Sequence, residues 1–381
     1  MATVWERSRR IQLTCPKGLT GILAKEVEDL GFEVVQQHVA AVELEGTLGD
    51  CLLLNLWLRT AHRVLFLLSS GNCRDGDELY RMAQNIAWED LLPQDGYFTI
   101  TSSVRNSTIH DTRFANLKLK DAIVDRMRDA TGRRPDTGPE RNKAVIFLYW
   151  KENEVSIYLD TSGEPLSHRG YRKVSAEAPM RETLAAACVL HTEWTGDGVF
   201  VNPMCGSGTL AIEAAWIAKN YPPAGLRCNF AFMHIEGFES THWDKLKNQA
   251  KALERKSDVA PILASDHDTA AIKATSRNAA IAMVDDLIEV TQSDFNAIKL
   301  PPSPGVLVYN PPYGERMGDV QALVPLYKSI GDFMKQKGTG YTGWIFTGNI
   351  RLLKQVGLRA NTKRVLYNGR IECRLADFDL Y

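Results

Sequence analysis

The sequence predicts an α/β protein whose C-terminal half is a doubly wound, mostly parallel sheet, preceded by two smaller α+β units. Three observations carry this. From Met180 onward, short apolar runs alternate with helical patterns, as in a sheet covered by helices on both faces. Residues 11–68 read βαββαβ instead, the split ferredoxin-like order. The least ordinary segments of the C-terminal half each follow a predicted strand, where ligands of doubly wound sheets bind. The length of 381 residues suggests two or three domains of about 100–200 residues each.

The first unit, residues 1–68, opens with the strand Ile11–Cys15. Leu19–Leu30 carries helical spacing and stops at Gly31, a favourable residue just past a helix. Phe32–Val35 and Ala41–Leu44 read as strands, Asp50–Leu58 as a helix and Arg63–Leu68 as a strand. The second unit, 69–165, follows as helix Glu78–Ile86, strand Tyr97–Val104 and helix Phe114–Ala130. After a break at Gly132–Asp136, strands Ala144–Trp150 and Glu154–Asp160 flank Lys151-Glu152-Asn153. Residues 166–180 are polar and basic and read as a linker.

Residues 181–381 then alternate. Arg181–Trp194, Thr209–Asn220, Thr269–Met283 and a segment near Val324–Lys337 read as helices. Val199–Val201, Ile262–Ala264, Ile288–Val290, Gly305–Tyr309, Gly343–Thr347, Val365–Tyr367 and Glu372–Asp377 read as strands. There is no internal repeat and no low-complexity tract.

Composition bounds the function. The chain is 44% hydrophobic and 24% charged, ordinary for a folded protein. No stretch approaches the roughly 18 apolar residues of a membrane span, and Met1–Arg7 lacks the apolar core of a signal peptide. Seven cysteines without a Cys-x-x-Cys pair argue against a zinc site and a disulfide framework. We therefore expect no membrane, no metal and a cytoplasmic location. A net charge of −1 gives no global nucleic-acid signal. Two local clusters remain: Arg105, Arg113, Lys118 and Lys120 with neighbours up to Arg134, and Arg169, Arg172 and Lys173. Each is either a solvated face or a phosphate-binding surface.

Three strand ends and a proline motif carry chemistry. Asn202-Pro203-Met204-Cys205-Gly206-Ser207-Gly208-Thr209 links a strand to a helix. Glycines let backbone approach a ligand, and the helix start behind them offers free N–H groups. The loop is not a Walker A loop. It matches Gly-x-Gly-x-x-Ala through Ala211, a weak dinucleotide pattern. Asp266 follows the next strand and could accept ribose hydroxyls; a helix-capping role for Asp266 or Asp268 stays open. Asp294, after the strand Ile288–Val290, could accept from an adenine amino group, with Phe295 against the ring. Asn310-Pro311-Pro312-Tyr313 ends an apolar strand with two residues that lack an N–H. The Asn310 side-chain oxygen and the Pro311 carbonyl can accept the two hydrogens of a planar amino group. Tyr313 can stack on the attached ring.

Together these segments resemble the class I S-adenosylmethionine-dependent amino-methyltransferases. Leu159-Asp160-Thr161-Ser162-Gly163, His168-Arg169-Gly170-Tyr171-Arg172 and Ala178-Pro179-Met180-Arg181-Glu182-Thr183-Leu184-Ala185 resemble, more narrowly, the junction of THUMP-domain RNA methyltransferases. Pro223-Ala224-Gly225-Leu226 and Ile371-Glu372-Cys373-Arg374-Leu375 are similar to bacterial 23S rRNA guanine-N2 methyltransferases. The resemblance implies a ferredoxin-like domain, a THUMP RNA-binding domain and a Rossmann-like methyltransferase domain. It implies S-adenosylmethionine as cofactor, S-adenosylhomocysteine as product, and RNA as partner, 23S rRNA first and tRNA second. Carried over residue by residue, the cofactor loop is Asn202 to Thr209 with Thr183, Asp266, Asp294 and Phe295. The amino-group motif is Asn310 to Tyr313, and the two basic clusters hold RNA phosphates. One departure stands out: the family's usual Asp is Asn202 here, which removes a charge that would attract the cofactor's ammonium group. Two rivals remain, a non-catalytic RNA-binding assembly factor and a nicotinamide-dependent oxidoreductase. The intact Asn310–Tyr313 motif argues against the first. The long insertion between the glycine loop and Asp266 argues against the second.

Overall fold

The computed structural model describes residues 3–107, 109, 111–174, 180–256, 258–302, 304–314 and 317–381, the side chains of 317–319 excepted. Ala178-Pro179 of the junction motif, the end of the expected linker and Glu315-Arg316 after Tyr313 lie outside the described residues. The chain forms two compact units. One comprises residues 1–15, 23–166 and 227–249, the other 16–22, 167–226 and 250–381.

The first unit is built on one eight-stranded sheet. Its strands are β1 (Arg9–Thr14), β2 (Val34–Gln37), β3 (Ala41–Gly46), β4 (Arg63–Asn72), β5 (Tyr97–Arg105), β6 (Asp136–Thr137), β7 (Ala144–Lys151) and β8 (Glu154–Asp160). The order β2-β3-β1-β4-β8-β7-β5-β6 places the four strands of the βαββαβ motif together at one end. Helices α1 (Thr20–Asp29) and α2 (Leu48–Trp57) complete that motif. A capping box starts α2, with Thr47 and Asp50 each accepting from the other's backbone N–H. Strand β4 continues past residue 68 to Asn72 and pairs antiparallel with β8, so both α+β segments share one sheet. Helices α3 (Gly76–Gln84) and α4 (Thr112–Thr131) pack together beside β5. Helix α4 ends at Gly132, whose φ of 73° suits a residue without Cβ.

The second unit holds a seven-stranded sheet of β9 (Val199–Pro203), β10 (Ile262–Asp266), β11 (Ile288–Gln292), β12 (Gly305–Tyr309), β13 (Tyr341–Thr347), β14 (Lys363–Asn368) and β15 (Ile371–Asp379). The order is β11-β10-β9-β12-β13-β15-β14. The first five are parallel, and β15 inserts antiparallel between β13 and β14. The chain winds outward from β9 in both directions, which opens a crevice at the carboxyl ends of β9, β10 and β12.

Helices α5 (Glu182–His191), α6 (Thr209–Ala218), α8 (Thr269–Ile281), α9 (Met317–Lys337) and the short α10 (Ile350–Leu353) connect these strands, with α7 (Ser240–Ala252) in the insertion before β10. Helix α9 begins seven residues before Val324 and carries Pro325 inside it. A proline usually marks a helix start, which explains the shorter expectation. Tyr327, Ile330, Phe333 and Met334 of α9 pack on Val201, Leu307, Tyr309 and Ile345 of the sheet. Burial of each large apolar side chain contributes about 1.5–3 kcal/mol.

Candidate cofactor and substrate site

Two loops meet at the crevice, and a side-chain hydrogen bond extends the ladder between their strands. Asn202 at the end of β9 is wholly buried, and its Nδ2 donates 2.8 Å to the Val308 carbonyl of β12. Its Oδ1 has no hydrogen-bond partner among the described residues. Thr183, on the first turn of α5, is equally buried and its Oγ1 is also unpartnered among them. An unmet buried acceptor costs about 1–3 kcal/mol, so each of the two calls for a water or a ligand.

The glycine loop is braced by its neighbours. Met204 and Gly206 have φ of 64° and 57°, and Gly208 has 82°. A Cβ on Gly208 would sit 2.8 Å from the Thr275 Cγ2 of α8, so glycine is needed there for packing. A Cβ on Gly206 would meet nothing within 4 Å; this stretch of backbone faces open space. The Gly206 N–H donates 3.0 Å to Asp266 Oδ2, and Thr275 Oγ1 donates 2.9 Å to the Gly206 carbonyl. Asn278 uses its whole amide: Nδ2 donates to the Ser207 and Val174 carbonyls, and Oδ1 accepts from the Lys173 and Val174 N–H groups. Cys205 is buried, and desolvation pushes its thiol up to about 12. It packs and does not act as a nucleophile.

Asp266 is 8% exposed. Each carboxylate oxygen already accepts one backbone N–H, Gly206 on Oδ2 and Asp268 on Oδ1. A carboxylate has about four acceptor sites, so capacity for a diol remains. The capping alternative falls to Asp268, which accepts from the Ala270 N–H at the start of α8.

Asp294 is exposed and accepts from the Asn296 N–H, leaving its second oxygen for a ligand. Phe295 is 7% exposed and set edge-on to Tyr309 and Phe333 in the core. Thr209 accepts from Arg172, and this hydroxyl serves the loop's support.

The proline loop is held differently. Pro311 is buried, Pro312 exposed, and Asn310 and Tyr313 half-buried. Among the described residues no protein group hydrogen-bonds the Asn310 amide. The rest of the motif is clamped. Tyr327 of α9 donates to the Pro312 carbonyl at 3.2 Å and contacts Thr347 Oγ1 at 2.7 Å. Asn349 Nδ2 reaches the Tyr313 carbonyl at 3.4 Å, and Asn368 Nδ2 the Tyr313 hydroxyl at 3.0 Å. A Cβ on Gly348 would lie 2.9 Å from the Tyr313 ring, so the ring rests against that glycine. No sequence pattern around Tyr327, Asn349 or Asn368 marks them; topology brings them to the motif.

The basic clusters are also revised. Arg169 is 1% exposed and faces Glu213 of α6 at 3.5 Å, beside the Tyr171 hydroxyl. Arg172 bonds Glu182, the Met180 carbonyl and Thr209. Neither is available to RNA, because each neutralises a buried carboxylate. A lone Glu213 in the otherwise apolar α6 was the signal that a buried cation must exist. Lys173 is exposed. In the first unit Arg105 is exposed, whereas Arg113, Lys118 and Lys120 pair with Asp111, Asp77 and Asp121 at 2.8, 2.7 and 3.3 Å. Among the described residues no cluster of His, Cys, Asp or Glu fits a metal ion, and no helix is long and apolar enough to cross a membrane.

Comparison with known proteins gives three family matches. Residues 169–377 match the family described as RMKL-like, methyltransferase domain; residues 10–65 match the RlmL ferredoxin-like domain; residues 73–160 match the THUMP domain. A ribosomal RNA large subunit methyltransferase K/L from Syntrophotalea carbinolica is 36% identical over 96% of this chain and 53% of its own length. The chain thus spans about half the length of the K/L relatives it matches. A Synechocystis protein named as an RNA methyltransferase is 34% identical over 97% of this chain and 96% of its own. Among solved structures, SMU.472, named as a methyltransferase and complexed with SAH, has a TM-score of 0.90 at 28% identity over 99% of both chains. A Listeria monocytogenes protein named as an N6-adenine-specific DNA methylase has 0.89 at 32% identity, over 98% of this chain and 97% of its own.

Proposed function

We propose, from the premise that this chain belongs to the RMKL-like methyltransferase family and is an S-adenosylmethionine-dependent enzyme, that it methylates the exocyclic N2 of a guanine in large-subunit ribosomal RNA. One observation carries the chemistry: the Asn310 amide, to which no described protein group hydrogen-bonds, on a loop clamped at Pro312 and Tyr313 and joined to the glycine loop through Asn202 and Val308. The substrate class rests on the THUMP match and on the names of the K/L relatives.

The residues present fit the cofactor. Asn202 Oδ1 and Thr183 Oγ1 are buried acceptors without partners, suited to an ammonium group. The open face at Gly206 admits a ligand close to backbone. Asp266 keeps acceptor capacity for the ribose and Asp294 for the adenine amino group. The bound cofactor supplies an electrophilic methyl group.

The chain's own residues do the positioning. Asn310 Oδ1 and the Pro311 carbonyl accept the two N2 hydrogens and turn the amino group's lone pair out of conjugation. Both acceptors stabilise the positive charge that develops on that nitrogen as its fourth bond forms. Tyr313 carries the base, which has left its stack so that the amino group can be reached. Tyr327 and Asn349 hold the Pro312 and Tyr313 carbonyls, which fixes the backbone that follows Pro311. Once methylated, the cationic N2 is strongly acidic and loses one proton to solvent water; the two amide oxygens only hold the hydrogens until then, so no separate titrating base is required.

An amino-group receptor of this kind serves adenine N6 equally well, and the Listeria relative's name favours that reading. Methyl transfer from labelled cofactor into deproteinised total RNA from a strain lacking this gene separates them. N2-methylguanosine in the large-subunit fraction is the expected product. Label as N6-methyladenosine, or in tRNA alone, would replace the base or the substrate. No label in any RNA, with cofactor binding intact, would sink the proposal.

A further inference from the structure

Residues 351–374 hold seven cations, Arg351, Lys354, Arg359, Lys363, Arg364, Arg370 and Arg374, against one acid, Glu372. Arg364 and Arg374 lie near Asp377 and Glu372. Arg351 and Arg370 are exposed and make no ion pair with any described carboxylate. Their places in the fold are related. The two asparagines that hold Tyr313 from opposite ends are Asn349, at its carbonyl, and Asn368, at its hydroxyl. Arg351 lies two residues beyond the first, and Arg370 two residues beyond the second. Ile371, next to Arg370, shares with Tyr313 the space over Gly348, which a Cβ would fill at 3.0 Å and 2.9 Å respectively. Both arginines therefore lie two residues along the chain from a side chain that touches Tyr313, the residue on which the target base would rest.

We propose that Arg351 and Arg370 form a phosphate clamp that grips the RNA backbone on either side of the base stacked on Tyr313. This deepens the function proposed above and rests on it. A base turned out of its stack leaves the strand with unstacking to offset and a backbone to hold. Cations flanking an aromatic platform are how proteins hold single strands. Arginine suits the task, since its planar fork meets phosphate oxygens two at a time. The clamp also places nucleic-acid contacts on the catalytic unit itself.

The test compares the wild type with Arg351→Ala, Arg370→Ala, the double variant and the double Lys variant. Deproteinised ribosomal RNA from a strain lacking the gene is the substrate, at 50–200 mM salt on the order used for such titrations. Each Ala change should raise the KM for RNA about tenfold. The double variant should lower the slope of log affinity against log salt by about 1.4, at roughly 0.7 per phosphate on a single strand. The Lys variant should restore the slope while recovering KM in part. The thermal shift on adding S-adenosylmethionine should not change, which shows that the variants fold. Unaltered KM and slope in a double variant, with an active wild type, would overturn the clamp alone. A fall in kcat at unchanged KM and slope would also overturn it, recasting the arginines as supports for Tyr313. A wild type that methylates no RNA would overturn the function beneath it.

Discussion

The two loops of the site are held by different parts of the sheet. The glycine loop, Asn202–Thr209, is bonded at its backbone by the adjacent strand and helix: Asp266 of β10 accepts from the Gly206 N–H, and Thr275 and Asn278 of α8 donate to the Gly206 and Ser207 carbonyls. The proline loop, Asn310–Tyr313, makes few bonds of its own and is held by residues from α9, the β13–α10 turn and the β14–β15 hairpin. A cofactor loop must offer one fixed shape to a ligand that returns in every cycle. A substrate loop must leave its reactive acceptor empty while everything around it is rigid. In the function proposed above Asn310 is that acceptor, and among the described residues no protein group hydrogen-bonds its amide.

The contrast is broken most severely at Asn310. Replacing it with Ala removes one of two acceptors for the developing charge, and the loss of a preorganised polar contact of this kind costs about 10²–10³ in kcat. Cofactor affinity should be unchanged, because the glycine loop does not use Asn310. Single-turnover rates beside a cofactor titration check this. A variant with full kcat would remove the receptor role.

Asn202→Asp comes next, and here the structure alters the expectation from sequence. An added carboxylate would attract an ammonium group. In this chain, however, the amide Nδ2 donates to the Val308 carbonyl. A carboxylate there would face that carbonyl with no proton between them. An unpaired buried charge costs about 3–5 kcal/mol. The variant should melt several degrees lower without cofactor and show a larger stabilisation with it. Differential scanning fluorimetry with and without S-adenosylmethionine reads both. A variant as stable as the wild type when free of cofactor would mean that the Asn202 amide carries no structural bond.

Tyr327→Phe is gentler. It removes the hydroxyl that reaches the Pro312 carbonyl and Thr347 and keeps the ring in the core. A lost hydrogen bond is worth about 0.5–1.5 kcal/mol. We expect kcat to fall about threefold to tenfold with the KM for both substrates unchanged. A rise in the KM for S-adenosylmethionine would show that the outer clamp and the glycine loop are coupled, and the contrast between them would fail.

Legibility in the sequence divides along the same line. The glycine loop, Asp266 and Asn310–Tyr313 stand out because each is a local pattern at a strand end. Strands β7, β8, β9 and β12 begin at the residues their patterns predict, Ala144, Glu154, Val199 and Gly305. Helix α7 was not legible, since Ser240–Ala252 is polar and buries little beyond Trp243 and Ala250. The clamp was not legible either. Asn368 is 55 residues from Tyr313, and only the insertion of β15 between β13 and β14 brings it there. Charge was misread for a related reason. A run of cations shows its number in the sequence but not its partners, so Arg169 and Arg172 looked like surface while Glu213 and Glu182 had already claimed them. The 351–374 cations form no compact run in the sequence, because they are spread over a helix, a loop and a hairpin.

The smallest expected effect concerns pH, and it separates the site from its scaffold. Within the site, burial pushes the Cys205 thiol up to about 12 and raises the Tyr309 and Tyr327 hydroxyls further from neutrality. Each of these three shifts runs away from neutrality, so none of the three should give kcat a titration between pH 6.5 and 9. His191, at the end of α5, behaves differently. Burial, with Arg364 nearby, lowers its pKa to about 4, and its Nε2 has no partner. The sign follows from proton counts. Between pH 4 and 6.5 the unfolded chain binds a proton on His191 that the folded chain refuses, so stability falls as pH drops through this window. Above 6.5 both states are neutral there and the term vanishes. Melting temperature measured from pH 8 to 5 should therefore be level and then decline, and His191→Gln should flatten part of that decline without touching kcat at pH 7.5. An identical pH profile in the variant would remove His191 from the account. A kcat that titrates near neutrality in the wild type would instead require a proton acceptor that the Asn310–Pro311 pair does not provide.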